Sequence, residues 1–126
     1  MEIKVIKTFK ESKQIWLGLH EEGFRRKVFR VVDEEQLGAK NMVAGLTVFE
    51  PGERCSPHMH PDSEEINFIV SGGGLAMDKT HSRESRFEKH DVIFIPKGVE
   101  HVHYNDCDEP LLLFFVYAPP GELPKK

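Results

Sequence analysis

No stretch of this chain is long and apolar enough to cross a bilayer. The longest such run, Leu111 to Ala118, stops far short of the roughly 20 residues that a spanning helix needs. The first residues, Met1-Glu-Ile-Lys-Val-Ile-Lys-Thr-Phe-Lys10, lack the apolar core of a signal peptide, so a cytoplasmic location is expected. Positive charge is also short. The 17 Lys and Arg against 21 Asp and Glu give a net charge of −4, which disfavours nucleic acid or an anionic membrane as a general partner. Cysteine is scarce. Cys55 and Cys107 are the only two, and in a cytosolic setting they are expected as free thiols rather than a structural bridge. Helical periodicity is nearly absent, with only Glu11 to Leu19 suggesting a helical turn.

What the chain does have is short strands punctuated by turn residues. Arg26 to Val32, Met42 to Glu50, Ser56 to His60, Glu65 to Ser71, Leu75 to Asp78, Ser85 to Glu88, Asp91 to Ile95, His101 to Asn105 and Leu111 to Tyr117 all read as strands. Pro51-Gly52, Gly72-Gly-Gly74 and Pro96-Lys-Gly98 break them. So many short strands at this spacing predict an all-β sandwich or barrel.

The chemistry is concentrated in Gly52-Glu-Arg-Cys-Ser-Pro-His58-Met-His60-Pro-Asp-Ser-Glu-Glu65 and in His101 and His103. Imidazole and carboxylate suit a borderline divalent metal. On a strand, His58 and His60 would face the same side with Cα atoms roughly 6–7 Å apart. By the same alternation Cys55 would face away from His58, and Glu65, Asn67 and Ile69 would share one face of their strand. The basic run Arg25 to Arg30 could hold an anion at a barrel mouth or simply be solvated edge charge. Trp16 and Phe24 could close one barrel opening or form a contact between subunits. Tyr117 could reach a cavity mouth, whereas His20, His81 and His90 read as surface residues.

These residues fall into a pattern that resembles the cupin superfamily. Gly52, His58, His60, Glu65 and Gly72 sit at the spacing of its first motif; Pro96, Gly98, His101 and Asn105 fit its second. One departure is His90, which stands where the second motif begins with glycine. The resemblance covers roughly residues 42 to 117 and implies a double-stranded β-helix, a small jelly-roll barrel. It implies a single domain over 1–126, with N-terminal strands or an arm over 1–41, a barrel core over 42–118 and a loose tail over 119–126.

The resemblance also implies metal ligands at His58, His60, Glu65 and His101. Three imidazoles and a carboxylate would accept one divalent Mn, Fe, Co, Ni, Cu or Zn per chain and leave open positions on a six-coordinate ion. His103 and Asn67 would be the catalytic candidates, handling protons or orienting a substrate or water. Some lyases of the superfamily carry a tyrosine where Asn67 stands, so its absence weighs against that chemistry. The implied function is a mononuclear metalloenzyme acting on a small anionic, enol or carboxylate substrate. A dioxygenase-like reaction is slightly favoured over isomerase, lyase or decarboxylase chemistry. The alternative is a cupin that binds or senses a small ligand without turnover. A homodimer is expected, with Ile3 to Phe9 or Arg26 to Val32 as candidate strands lent to a neighbour.

Overall fold

The computed structural model describes residues 2–121. Two antiparallel sheets face each other. The larger is built from β1 (Lys13–Leu17), β2 (Arg26–Val32), β3 (Val43–Phe49), β4 (Glu64–Ser71), β7 (Val92–Ile95) and β9 (Leu111–Ala118), in the order β1-β2-β3-β9-β4-β7. The smaller holds β5 (Gly74–Asp78), β6 (Arg83–Phe87) and β8 (His101–Tyr104), in the order β6-β5-β8. This is the jelly-roll arrangement expected of an all-β cupin fold.

Period-two alternation builds the core. On β9, Leu111, Leu113, Phe115 and Tyr117 point inward and are buried. On β4, Glu65, Asn67 and Ile69 are buried while Glu64, Ile66 and Phe68 are exposed. Antiparallel partners share a face, so Glu65 opposite Tyr117 and Asn67 opposite Phe115 carry polar groups into an apolar interior. Val28, Val43, Phe49, Phe87 and Val102 complete that interior.

Three local expectations change. Lys13–Leu17, expected inside a helical turn, is strand β1, paired to β2 from Lys13 opposite Arg30 to Leu17 opposite Arg26. Ile15 and Leu17, two apart, both turn to the core, so strand pairing outweighs a weak local helical preference. The helical turn closes just before, at α1 (Thr8–Glu11). Residues 56–60 do not form a strand; His58 makes an isolated bridge to His101 instead. The polar turn after β2 contains α2 (Glu34–Leu37), whose N-cap Asp33 accepts from Gln36 N at 2.7 Å.

The two segments proposed for lending to a neighbour behave differently. Ile3 to Phe9 forms no strand, and Arg26–Val32 is paired on both sides within its own chain, to β1 and β3. Of the tail, residues 122–126 lie outside the described residues.

Candidate metal centre

The site forms where the two sequence motifs meet. His58 N donates to His101 O at 3.2 Å and His101 N donates to His58 O at 2.9 Å, a reciprocal bridge. His60 O accepts from Gly98 N at 2.9 Å, which ties the Pro96-Lys97-Gly98 turn to the same loop. Backbone pairing thus brings the first His pair against the strand that carries the second. Each of His58, His60 and His101 offers a ring nitrogen within 4.8 Å of the other two. Glu65 comes in from β4, with Oε1 at 3.2 Å from His60 Nε2 and 3.9 Å from His101 Nε2. His58 and His101 have their other ring nitrogens beside the carbonyls of Ser56 (3.0 Å) and Val99 (2.9 Å), which sets the Nε2 lone pairs toward the cluster.

The electrostatics match a cation-binding set. Burial lowers His58 to about 4, helped by the neighbouring His101 and Arg26. Burial also lowers His101. Burial pulls Glu65 upward, but His60, His103 and the Asn67 amide outweigh it and hold the carboxyl at about 2. At neutral pH His58 and His101 therefore stand neutral beside an ionised Glu65 carboxylate. Glu65 Oε1 and His101 Nε2 are both buried and find no hydrogen-bond partner among the described residues. Buried acceptors left unsatisfied are costly, and a shared cation removes that cost. The donor atoms of the three imidazoles all lie within 4.8 Å of one another; Glu65 stands outside that group, beside His60 and His101.

The other sequence candidates separate. His103 is buried behind the cluster, its Nε2 2.7 Å from Asn67 Oδ1, and burial lowers it to about 3. Asn67 Nδ2 in turn donates to Glu65 Oε2 at 2.8 Å. Cys55 is buried with its sulfur 3.3 Å from His103 N, in the core and not in the cluster. His81 lies on the surface beside Asp78, 2.9 Å away. The basic run divides by partner: Arg25 pairs with Glu53, Arg30 with Asp33, and Arg26 lines the site.

Tyr117 matters more than its sequence position suggested. Its ring stacks on His60 at 4.6 Å, its hydroxyl is buried without a partner, and burial raises its pKa so that it stays a phenol. Its signal in the sequence was the β9 alternation combined with the register to Glu65, and only the register aims it. An inner pocket of about 30 Å³ is lined by Arg26, His58, His60, Glu65, His103 and Tyr117 among others. Outside it a cleft of about 530 Å³ opens past Arg26, His58 and His60 between Leu17, Phe24 and Met59. Phe24 thus stands at the mouth, whereas Trp16 lies on the outer face with Lys27 Nζ 5.6 Å from its ring.

Comparison with known proteins agrees with this architecture. The chain is 32% identical over 83 residues to the polyketide synthase protein CurC of Streptomyces cyaneus, covering 66% of this chain and 53% of that protein. It is 27% identical over 82 residues to the oxalate decarboxylase OxdC of Bacillus subtilis, covering 63% of this chain but 21% of that protein. The chain therefore spans about a fifth to a half of these relatives. A crystal structure from Thermotoga maritima, described as a predicted oxalate decarboxylase, superposes with a TM-score of 0.78 at 19% identity, covering 93% of this chain and all of that one. The cupin domain profile matches residues 45–117, more than half of the chain, and on that match the protein belongs to the cupin domain family.

Proposed function

We propose that this protein is a mononuclear metalloenzyme acting on a small anionic substrate that carries a carboxylate or enol group. The observation that carries the proposal is the pair of buried, partnerless atoms, Glu65 Oε1 and His101 Nε2, at the point where three imidazoles converge. His58, His60, His101 and Glu65 would hold one divalent Mn, Fe, Co, Ni, Cu or Zn. The bound ion would supply Lewis-acid polarisation of a substrate oxygen. The chain does the rest. Arg26, lining both the inner pocket and the cleft, offsets the negative charge of the incoming substrate. The Tyr117 hydroxyl, unpartnered in the protein, donates a hydrogen bond to a substrate oxygen. Leu17, Phe24 and Met59 shed water at the mouth, and the cleft of about 530 Å³ falls within the ordinary range for small-molecule sites. The kinship with a protein named as a decarboxylase of oxalate, a dicarboxylate, supports the substrate class.

Elemental analysis tests the centre. About one transition metal per chain is expected, lost by tenfold or more in affinity in His58→Ala and Glu65→Ala and unchanged in His81→Ala. No metal after reconstitution, or equal losses in all three variants, overturns the assignment. Turnover is tested with carboxylate, keto-acid and enol panels under air and under nitrogen. Dioxygen-dependent loss of substrate marks the oxidative branch, and oxygen-independent loss marks decarboxylase, lyase or isomerase chemistry. Tight binding with no chemical change overturns the enzyme in favour of a ligand-binding role.

We also propose that the protein works as a homodimer through the outer face of its larger sheet. Ile66, Phe68, Val92, Phe94 and Phe114 lie there, each between 37% and 62% exposed, with Ile66 opposite Phe94 and Phe68 opposite both Val92 and Phe114. At about 150–250 Å² per fully buried aromatic ring, this patch offers on the order of 500 Å². That is the apolar share of an interface of about 800 Å² per partner.

A further inference from the structure

Behind Glu65 runs a chain of side-chain hydrogen bonds that binds nothing itself. Asn67 Nδ2 lies 2.8 Å from Glu65 Oε2, and Asn67 Oδ1 lies 2.7 Å from His103 Nε2. A carboxylate only accepts, so the Asn67 amide nitrogen must face Glu65 and its oxygen must face His103. That oxygen in turn requires a hydrogen on His103 Nε2. The other ring nitrogen, Nδ1, is buried without a partner. A bare lone pair is tolerated there more readily than an orphaned N–H. His103 is buried, with Phe49 and Phe87 flanking its ring at 6.2 and 6.5 Å and its backbone N–H donating to Cys55 Sγ.

We propose that His103 and Asn67 are positioning residues. They clamp Glu65 Oε2 and so oblige the carboxylate to face the imidazole cluster through Oε1 alone. Only Oε1 is left free of hydrogen bonds, and it is the oxygen that lies 3.2 Å from His60 Nε2 and 3.9 Å from His101 Nε2. A carboxylate held by one oxygen occupies one coordination position instead of two and leaves another for a substrate. This rests on the metal-centre assignment above.

Two measurements separate this proposal from the assignment it rests on. Nitrogen-15 NMR of the imidazoles in the metal-free protein should find His103 in the Nε2–H tautomer, and should find that preference lost in Asn67→Leu. This readout requires no metal and no substituted His103. An Nδ1–H tautomer in the wild-type protein overturns the relay even if metal binds. The second measurement is Co(II) affinity by chelator competition, with metal-free melting temperature recorded alongside. Asn67→Leu and His103→Leu should weaken Co(II) binding about 10–100-fold. His103→Gln, whose amide can still donate to Asn67 Oδ1, should recover most of that loss. Leu variants within twofold of wild type, or a Gln variant as weak as the Leu variant, overturn the proposal. Failure of wild type to bind Co(II) overturns the centre, while the tautomer still decides the relay.

Discussion

His90 stands in a backbone conformation that suits glycine, with φ of 76°. The matching position in the family pattern is a glycine, and the structure supplies the reason. A side chain in the left-handed region costs roughly 1–2 kcal/mol, partly offset here by stacking of the His90 ring on Phe68 at 6.0 Å. Glycine also has more chain entropy to lose, roughly 0.5–1 kcal/mol. His90→Gly should therefore raise stability by about 0.5 kcal/mol, and His90→Val, β-branched at the same φ, should lower it by about 1 kcal/mol or more, both read by urea denaturation. At this scale much was legible. Motif spacing singled out Glu65, and on β4 Glu65 is buried while its neighbour Glu64, the first residue of the strand, is exposed. Tyr117 and Arg26 were less legible, because residue type and periodicity say which face a side chain takes but not what stands across from it.

Among the elements, the crossing between the 52–58 segment and β8 organises the site, and Asn105 pins it. Its Nδ2 donates to Phe49 O and Glu109 O, both at 2.9 Å, and its Oδ1 accepts from Cys107 N at 3.0 Å. Backbone bonds from Gly52 N to Asn105 O and from Asn105 N to Glu53 O add the other strap. The last residue of the second motif is thus a structural clamp. Asn105→Ala strands the buried Phe49 carbonyl at about 1–3 kcal/mol and removes the bonds to Glu109 O and Cys107 N nearer the surface. A loss of about 2–3 kcal/mol is expected, a melting midpoint lower by about 5–15 °C, measured by calorimetry. Asn105→Asp should not rescue it, because a carboxylate cannot donate to the two carbonyls. Strands β2, β3, β4 and β9 were readable as short runs bounded by turn residues. Strand β1 was not, because Ile15 and Leu17 are too few apolar positions to outvote a helical pattern without β2 beside them.

For the whole molecule, the outer face of the larger sheet is the main unspent hydrophobic surface. On β4 the face that carries Glu65, Asn67 and Ile69 is buried, and the face that carries Ile66 and Phe68 is exposed. Light scattering at micromolar concentration should give about twice 14.5 kDa, and Phe94→Glu should return the protein to one chain while leaving its metal content intact. A wild-type monomer, or a variant that remains dimeric, overturns the interface. Among the described residues no helix is long and apolar enough to cross a membrane, in keeping with the short apolar runs of the sequence.

The amino-acid sequence by itself determined the strand alternation, the turn positions and the residue types and spacings of the candidate ligands, because each depends on neighbours a few residues apart. Tertiary structure decided what no local pattern can encode. It set His101 against His58 across 43 positions of chain, Tyr117 opposite Glu65, and His103 against Asn67 across 36. Those placements follow from register between distant strands, and register is fixed only when the sheets close on a common core.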